Sequence, residues 1–419
     1  GSFGVTIAAQ PAASTPHVLT VRASGGMQTI TPATISDVLF GDLYLCSGQS
    51  NMELAVESVD NATAEIAAAD WPLIRIAAVA YIPATTPQND TRFTIPWGAV
   101  TSKNIGGFSG VCYYFGRRMF QELASGDGDA TPVGLVEQAV GGTYIESFMT
   151  ADHMAPCNTT GRMPKDWTGA PPKQAGAKPY VPWGGANVPA ALWNSMIAPL
   201  LPLQFKLAIY DQAEQNLATN ESLKYHCLQN QLVGAWREAW GAELAFHAVQ
   251  LPSLNMTEFA WIYVDPDRSL GQMRLSQAAT TQDVARTTIA VTIDLADLHS
   301  PFGSVHNRQK QEVGRRLALN ALATSYGRGA LNTGPNLQSV TRAATSGDLV
   351  VTVSTKTAAG HFNGSIDCIE CCAQSAFEVS TDGSVWSRVG AVEVAPKATG
   401  GNTVKITVGT AALPRVKWL

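Results

Sequence analysis

The chain has 419 residues, of which 45% are hydrophobic and 15% charged, and its net charge is −5. The length exceeds one ordinary core, so two or three domains are expected, and the hydrophobic content excludes a disordered chain. No cluster of basic residues and no apolar run of 18 residues occurs. We therefore expect neither a nucleic-acid partner nor a membrane span.

The N-terminal segment, residues 1–36, contains short apolar alternations such as Val18-Leu19-Thr20-Val21. Alternation with a period of two is typical of strands. This segment is predicted to form the last strands of a β domain.

Residues 37–330 alternate strand and helix signals, which predicts a parallel sheet between layers of helices. The candidate strands are 37–45, 133–140, 205–211, 243–251 and 287–295. The candidate helices are 52–68, 111–123, 223–240 and 307–324. In the last helix, Val313, Leu317 and Ala321 predict an apolar face, and Lys310 is grouped with the polar residues.

Two further segments differ from this pattern. Residues 151–192 are rich in Pro, Gly and Trp and predict a long loop inside the α/β domain, with Trp167, Tyr180 and Trp183 either lining a sugar site or pinning the loop. Residues 331–419 are rich in Thr, Ser, Val and Gly and predict a C-terminal β-sandwich domain.

Ser50 follows the apolar run 37–45 at a turn between a predicted strand and a predicted helix. A hydroxyl at such a turn lies at the carboxyl edge of a parallel sheet and beside the positive end of a helix, where an α/β enzyme presents a nucleophile. A serine in this position is also a common helix N-cap. Both interpretations remain open on the turn alone.

Five blocks in order resemble the sialate O-acetylesterases, a branch of the SGNH hydrolases. They are CSGQSNM at 46–52, VGLV at 133–136 leading into GGTYIE at 141–146, WNSMIAPL at 193–200, IYDQAEQN at 209–216, and SPFGSVH at 300–306 followed by Lys310-Gln311. The resemblance spans about residues 16–419. It implies a flavodoxin-like α/β/α catalytic domain over 37–330, with 1–36 as the remnant of a preceding β domain.

The resemblance also implies a function. O-acetyl groups, with the 9-position expected, are removed from sialic acid or a sialoglycan through an acetyl-Ser50 intermediate. Neither a metal nor an organic cofactor is implied. Acetyl xylan or another acetylated sugar is an alternative substrate. An inactive glycan-binding protein on an esterase scaffold is an alternative of another class.

The base is expected among the histidines that follow strand 287–295. His306 has the family's spacing to Lys310 and is preferred to His299. Many SGNH hydrolases place an Asp three residues before the base, but Gly303 stands there. Asp294 and Asp297 lie nearby and are possible supporting acids. The Ser304 side chain or a backbone carbonyl is the alternative support, which leaves a Ser–His dyad with a base pKa near that of free imidazole.

An ester hydrolase also needs donors for the oxyanion. The Ser50 N–H, the Gly141-Gly142 turn and the Gln212 amide are the candidates. Glu214 and Asn216 are expected to orient them.

The chain departs from the family pattern at four positions in these blocks. They are Asp211 for Tyr, Ala213 for Gly, Gln215 for Asn or Ser, and Asn307 for Pro. Alanine crowds the oxyanion site if that position needs a positive φ. These departures motivate the inactive alternative.

Six glycosylation sequons occur, at Asn61, Asn89, Asn158, Asn220, Asn255 and Asn363. They favour the secretory pathway, with a secreted or lysosomal destination. Cys46 and Cys112 lie in apolar runs and are expected to be buried thiols. The disulfide candidates are Cys157, Cys227, Cys368, Cys371 and Cys372. The last three lack a second Cys or His pair at zinc spacing, so no metal site is predicted.

Overall fold

The computed structural model describes residues 7–8, 10–22, 32–124, 130–157, 186–219, 221–255, 258 and 266–329, together with seven short strands between 336 and 418. The residues Trp167, Tyr180, Trp183, Cys368, Cys371 and Cys372, and the sequons at Asn158, Asn220 and Asn363, lie outside the described part.

The elements are numbered along the chain. The strands are β1 (Ala13–Val21), β2 (Ala33–Phe40), β3 (Asp42–Gly48), β4 (Asp70–Val79), β5 (Phe93–Thr101), β6 (Val133–Ala139), β7 (Leu207–Asp211), β8 (Ala245–Val249), β9 (Thr287–Ala290), β10 (Asn336–Arg342), β11 (Leu349–Ser354), β12 (Phe377–Ser380), β13 (Ser387–Arg388), β14 (Ala391–Pro396), β15 (Gly401–Thr407) and β16 (Arg415–Trp418). The α-helices are α1 (Ser50–Glu53), α2 (Ala62–Ala67), α3 (Gly110–Leu123), α4 (Ala151–Met154), α5 (Glu214–Ala218), α6 (Tyr225–Trp240), α7 (Pro266–Asp283) and α8 (Lys310–Tyr326).

Seven strands form the central sheet, in the order β5-β4-β6-β3-β7-β8-β9. Every neighbouring pair is parallel except β4 and β5 at one edge. The inner strands are buried along their length, as parallel strands covered on both faces must be. The predicted parallel α/β sheet is confirmed.

Helices cover both faces of this sheet. Leu45 of β3 packs in one apolar cluster with Trp236 of α6 and Met273 of α7, whereas its neighbour Tyr44 packs in another with Phe115 of α3. Successive residues of a strand point to opposite faces, so the two clusters lie on opposite sides. The predicted apolar face of α8 is buried in the second cluster.

Several predicted boundaries were wrong. The run 37–45 belongs to two strands, β2 and β3, separated by Gly41, where a side chain would collide with the Pro132 carbonyl oxygen at 2.1 Å. The segment 52–68 is broken into α1, a 3₁₀ turn and α2. Lys310 was grouped with the polar, solvent-facing residues of α8, which was wrong, because it is only 1% exposed. Strands β4 and β5 and helix α7 were not predicted.

The flanking segments are antiparallel β structure. β1 pairs with β2 alone, and the C-terminal strands form sheets in the orders β10-β11-β15-β14 and β13-β12-β16. Their composition favours these short strands. The division into domains at residues 36 and 330, and a sandwich packing of the last two sheets, stay predictions.

Two disulfides cross-link the α/β region. Cys157 and Cys227, two of the five disulfide candidates, bond to each other and tie the segment after α4 to α6; their pairing was not predicted. The prediction for Cys46 and Cys112 was wrong: these residues form a disulfide between β3 and α3, with Cα atoms 5.7 Å apart. A buried free thiol and a buried disulfide are both apolar, so an apolar sequence run does not distinguish them. Among the described helices, none combines the length and hydropathy that a bilayer span requires.

Candidate active site

The turn after β3 brings Ser50 to the carboxyl edge of the sheet. Gly48 has a φ of +145°, and a side chain there would meet the Asp211 carbonyl oxygen at 2.1 Å. That oxygen accepts the Gln49 N–H at 2.9 Å, so the turn is held against the end of β7. Only glycine permits this approach, and Ser50 therefore begins α1 directly beyond the strand.

The Ser50 hydroxyl meets one of the two candidate bases. Ser50 Oγ lies 2.8 Å from Nε2 of His306. His299 is exposed on the preceding turn. The other ring nitrogen of His306, Nδ1, lies 2.7 Å from the Phe302 carbonyl oxygen. A carbonyl only accepts, so Nδ1 carries the proton and Nε2 is the free acceptor for the serine proton.

The surroundings of His306 disfavour its charged form. Burial lowers the pKa of the imidazole below its ordinary value, and the Lys310 ammonium lowers it further, against the opposing effects of the Phe302 carbonyl and the Glu258 carboxylate. The expectation of a pKa near that of free imidazole was therefore wrong. The sequence did not reveal the desolvation of this half-buried ring, which is the largest cause.

Neither aspartate supports the base. The carboxylate of Asp297 binds Arg308, with a shortest distance of 2.6 Å, and Asp294 binds Arg316 at 2.6 Å. Ser304 does not hold the ring either, since its Oγ accepts the Asn255 N–H at 3.0 Å. The backbone carbonyl alternative is the one that matches the structure.

Two of the candidate oxyanion donors already have partners. The Gly141 N–H donates to Glu53 Oε2 at 2.6 Å, and a side chain at Gly141 would lie 3.1 Å from Ser50 Cβ. The Gly141-Gly142 turn, with Gly142 at a φ of +66°, thus lies against the nucleophile. The Gly141 N–H reaches an oxyanion only by releasing Glu53.

The amide of Gln212 is engaged more fully. Its Nε2 lies within 3.0 Å of three acceptors, Gln49 Oε1, the Thr143 carbonyl and Asn216 Oδ1. An amide nitrogen has only two hydrogens. Gln212 therefore links the turn that carries the nucleophile (residues 48–50, the nucleophile turn) to the Gly141-Gly142 turn. It can donate to an oxyanion only by giving up one of these partners.

The two expected orienting residues are buried in the same network. Asn216 accepts the Ile145 N–H at 3.1 Å and donates to Glu146 at 2.9 Å. Glu214 accepts from the Asn51 amide at 2.5 Å. Burial raises the pKa of Glu214 to about 7, and Asp211 raises it further.

Ala213 occupies a strained backbone position. Its φ is +153° and its ψ is −15°, and it is fully buried between β7 and α5. A residue with a Cβ rarely adopts this conformation, so the position favours the glycine of the family pattern.

The candidate site also contains four residues that the sequence did not indicate: Asn51, Glu53, Glu258 and Lys310. Asn51 and Glu53 lie within four residues of Ser50, and that nearness was the available signal. Lys310 was used only as a spacing marker. Glu258 accepts the Ser304 N–H at 3.1 Å, a contact between distant segments that sequence spacing does not reveal.

Three sequons fall in described segments. Asn61, Asn89 and Asn255 are all exposed, as glycan attachment requires.

No family model matches the chain. The sialate O-acetylesterase of Homo sapiens is 34% identical over 313 residues, which is 70% of this chain and 55% of that protein. The Mus musculus protein of the same name is 32% identical over 327 residues, 70% of this chain and 58% of that protein. The chain therefore spans little more than half the length of these curated relatives.

A solved structure shares the fold. A carbohydrate acetylesterase from Xanthomonas citri superposes with a TM-score of 0.73 at 23% identity, covering 97% of this chain and 80% of that one. The family resemblance of the five sequence blocks is confirmed, and the chain is homologous to the sialate O-acetylesterases.

Proposed function

We propose that the protein is a carbohydrate esterase that removes O-acetyl groups with a Ser50–His306 dyad. The observation that carries the proposal is the 2.8 Å contact between Ser50 Oγ and His306 Nε2. A nucleophile bonded to a neutral imidazole, whose other nitrogen is held by an acceptor, is the arrangement that acyl transfer needs.

The chemistry follows from this contact. Ser50 Oγ attacks the acetyl carbonyl carbon while His306 Nε2 takes the hydroxyl proton. The bond from the acetyl carbon to the sugar oxygen then breaks, and His306 returns the proton to that oxygen. Water attacks the acetyl-Ser50 ester in the same way, and acetate leaves. The Phe302 carbonyl holds the tautomer and interacts favourably with the imidazolium that forms in each step.

Three groups are candidates to stabilise the oxyanion. The Ser50 N–H lies in the first turn of α1, where backbone N–H groups have no partner within the helix. The Gly141-Gly142 turn lies against Ser50, and Gln212 borders both. We propose the Ser50 N–H as a donor, joined by Gly141 or Gly142, with Glu53 displaced as the oxyanion forms.

Two observations support a sialic acid substrate. The curated relatives are named sialate O-acetylesterase. The animal-type SPFGS motif precedes the base in this chain. We propose 9-O-acetylated sialic acid or a sialoglycan bearing it. Acetylated xylan is the second candidate, because the fold neighbour is named only a carbohydrate acetylesterase.

We propose a secreted or lysosomal location from the disulfides and the glycosylation sequons. Disulfides such as Cys46–Cys112 and Cys157–Cys227 form and persist in an oxidising compartment. Three exposed sequons add to that argument.

A substrate panel tests the function. The protein is incubated with p-nitrophenyl acetate, 9-O-acetylated sialic acid and acetylated xylan, and released acetate is measured, with Ser50→Ala as the blank. The proposal predicts acetate from the first two, released faster from sialic acid than from xylan. Glycan binding without acetate release from any substrate would favour the inactive alternative.

A further inference from the structure

Lys310 is a buried cation at the start of α8. Its side chain is 1% exposed. Its ammonium Nζ donates to Asn51 Oδ1 at 2.6 Å and to Asn307 Oδ1 at 2.8 Å. A buried charge is costly unless it is paired and hydrogen-bonded, so this lysine has a specific task.

Its two acceptors directly follow the nucleophile and the base in the chain. Asn51 comes after Ser50, and Asn307 comes after His306. The Asn51 amide also donates to the Val305 carbonyl at 2.8 Å. Asn51 therefore holds the Val305 carbonyl, which precedes His306, and Lys310 holds the Asn307 side chain, which follows it.

Carboxylates from the neighbouring strand and helix keep Lys310 compensated. Asp211 at the end of β7 and Glu214 at the start of α5 both attract the ammonium, against the burial that lowers the pKa of Lys310. The Glu258 carboxylate faces His306 from a separate segment.

We propose that Lys310 is a positioning residue for the Ser50–His306 pair. It acts through Asn51 and Asn307 on the alignment of the nucleophile turn (residues 48–50) with the base loop (residues 300–307). The inference rests on the proposed function. It adds a second role, because a positive charge beside His306 opposes protonation of the ring.

Two departures from the family pattern acquire a common explanation. Asn307 replaces Pro, which has no side-chain oxygen to offer Lys310. Asp211 replaces Tyr and adds a carboxylate beside the same ammonium. Both substitutions therefore place an acceptor or a carboxylate near one buried cation.

The experiment compares Lys310→Met, Asn307→Leu and a control, Lys206→Met. Lys206 precedes the amino end of β7, at the opposite edge of the sheet, where it pairs with Asp42 at 3.0 Å. Two readouts are taken on folded protein: kcat and KM for p-nitrophenyl acetate, and the titration of His306 by NMR.

Lys310→Met is expected to lower kcat about a hundredfold, with a smaller change in KM, because the reacting atoms lose their alignment. The His306 pKa is expected to rise, because a nearby positive charge is removed. Asn307→Leu keeps the charge, so kcat is expected to fall while the His306 titration moves less than in Lys310→Met. Lys206→Met is expected to leave both readouts unchanged.

A folded Lys310→Met protein with the kcat and His306 titration of the unmodified chain would overturn the inference. Should that variant not fold, an unchanged kcat in Asn307→Leu would overturn it instead. The titration needs no turnover. A chain without esterase activity whose His306 pKa rises in Lys310→Met would therefore refute the proposed function and still support the placement of Lys310.

Discussion

Among single residues, one contact and the groups that hold it define the candidate site. Ser50 Oγ touches His306 Nε2, and the Phe302 carbonyl holds the far side of the ring. A carbonyl is a weaker partner for an imidazolium than a carboxylate, because it carries no net charge. Desolvation of the half-buried ring and the Lys310 charge both favour neutral His306, which is the form that accepts a proton.

Replacing the nucleophile tests the first half of this contact. Ser50→Ala is expected to lower kcat by about a thousandfold or more, because among the described residues Ser50 alone bonds its hydroxyl to the base. The free energy of unfolding should change by less than about 1 kcal/mol, since Ser50 lies on a turn.

Ser47→Ala is the matched control for Ser50→Ala. Ser47 is buried three residues earlier and donates to Gln138 at 2.5 Å. The Ser47→Ala protein should have a lower free energy of unfolding than the unmodified protein and should keep most of its kcat. Turnover of the Ser50→Ala protein near the original rate would refute the assignment of the nucleophile.

The strained alanine gives a second prediction. Ala213→Gly should raise the free energy of unfolding by about 1 kcal/mol, because glycine adopts a φ of +153° without a steric penalty. Ala323→Gly, inside the 17-residue helix α8, should lower it by a similar amount. Urea denaturation of both variants checks this, and a destabilised Ala213→Gly protein would contradict it.

At the scale of secondary-structure elements, the sequence was most informative where a pattern is repeated locally. The alternation of strands and helices predicted the sheet, and the periodic apolar residues of α8 predicted its buried face. The buried state of Lys310 could not be predicted, because its partners come from β7, α1 and the base loop. The backbone acceptor for His306 was likewise invisible, since a carbonyl has no residue signature.

The two disulfides give a prediction at this scale. They close segments of similar length, with separations of 66 and 70 residues, so removing either should cost about 2–4 kcal/mol. Cys46 lies in the strand that carries the nucleophile turn. A Cys46→Ala/Cys112→Ala protein should therefore lose activity as well as stability.

The Cys157→Ala/Cys227→Ala protein is the control, because this bridge joins the segment after α4 to α6. It should lose stability with a smaller effect on kcat. Thermal unfolding and turnover are measured for both double variants. Equal kcat values in the two would show that the bridge at Cys46 has no bearing on the site.

At the scale of the whole molecule, buried carboxyl groups make stability depend on pH. Burial raises the pKa of Glu137 to about 8 and those of Glu146 and Glu214 to about 7, from an ordinary value of 4.5. A raised pKa in the folded state gives stability that is complete at low pH and lost as pH rises through the folded value.

Buried His247 also makes stability depend on pH, but only below the pH range in which these carboxyl groups ionise in the folded protein. Burial lowers the pKa of His247 to about 3 from 6.5, so it destabilises the fold below pH 6.5 and is neutral in both states above it. Between pH 6.5 and 8 the carboxyl groups dominate, and the melting temperature should fall.

Glu137→Gln should flatten this dependence, because the amide does not ionise. Glu312→Gln should not, since Glu312 is paired with Arg315 and Arg316 and its pKa is lowered. Melting temperatures of both variants are measured between pH 6.5 and 8. A melting temperature that rises over this range in the unmodified protein would contradict the prediction.

The most direct test of the dyad is the rate profile of the acid variants. We expect kcat/KM for 9-O-acetylated sialic acid in Asp294→Asn and Asp297→Asn to stay within about tenfold of the unmodified protein, because both carboxylates bind arginines. His306→Ala should lose about a thousandfold or more, and His299→Ala much less. The acid limb of the unmodified profile should lie below the ordinary pKa of imidazole, as burial of His306 requires. A thousandfold loss in either Asn variant would restore a triad and contradict the account.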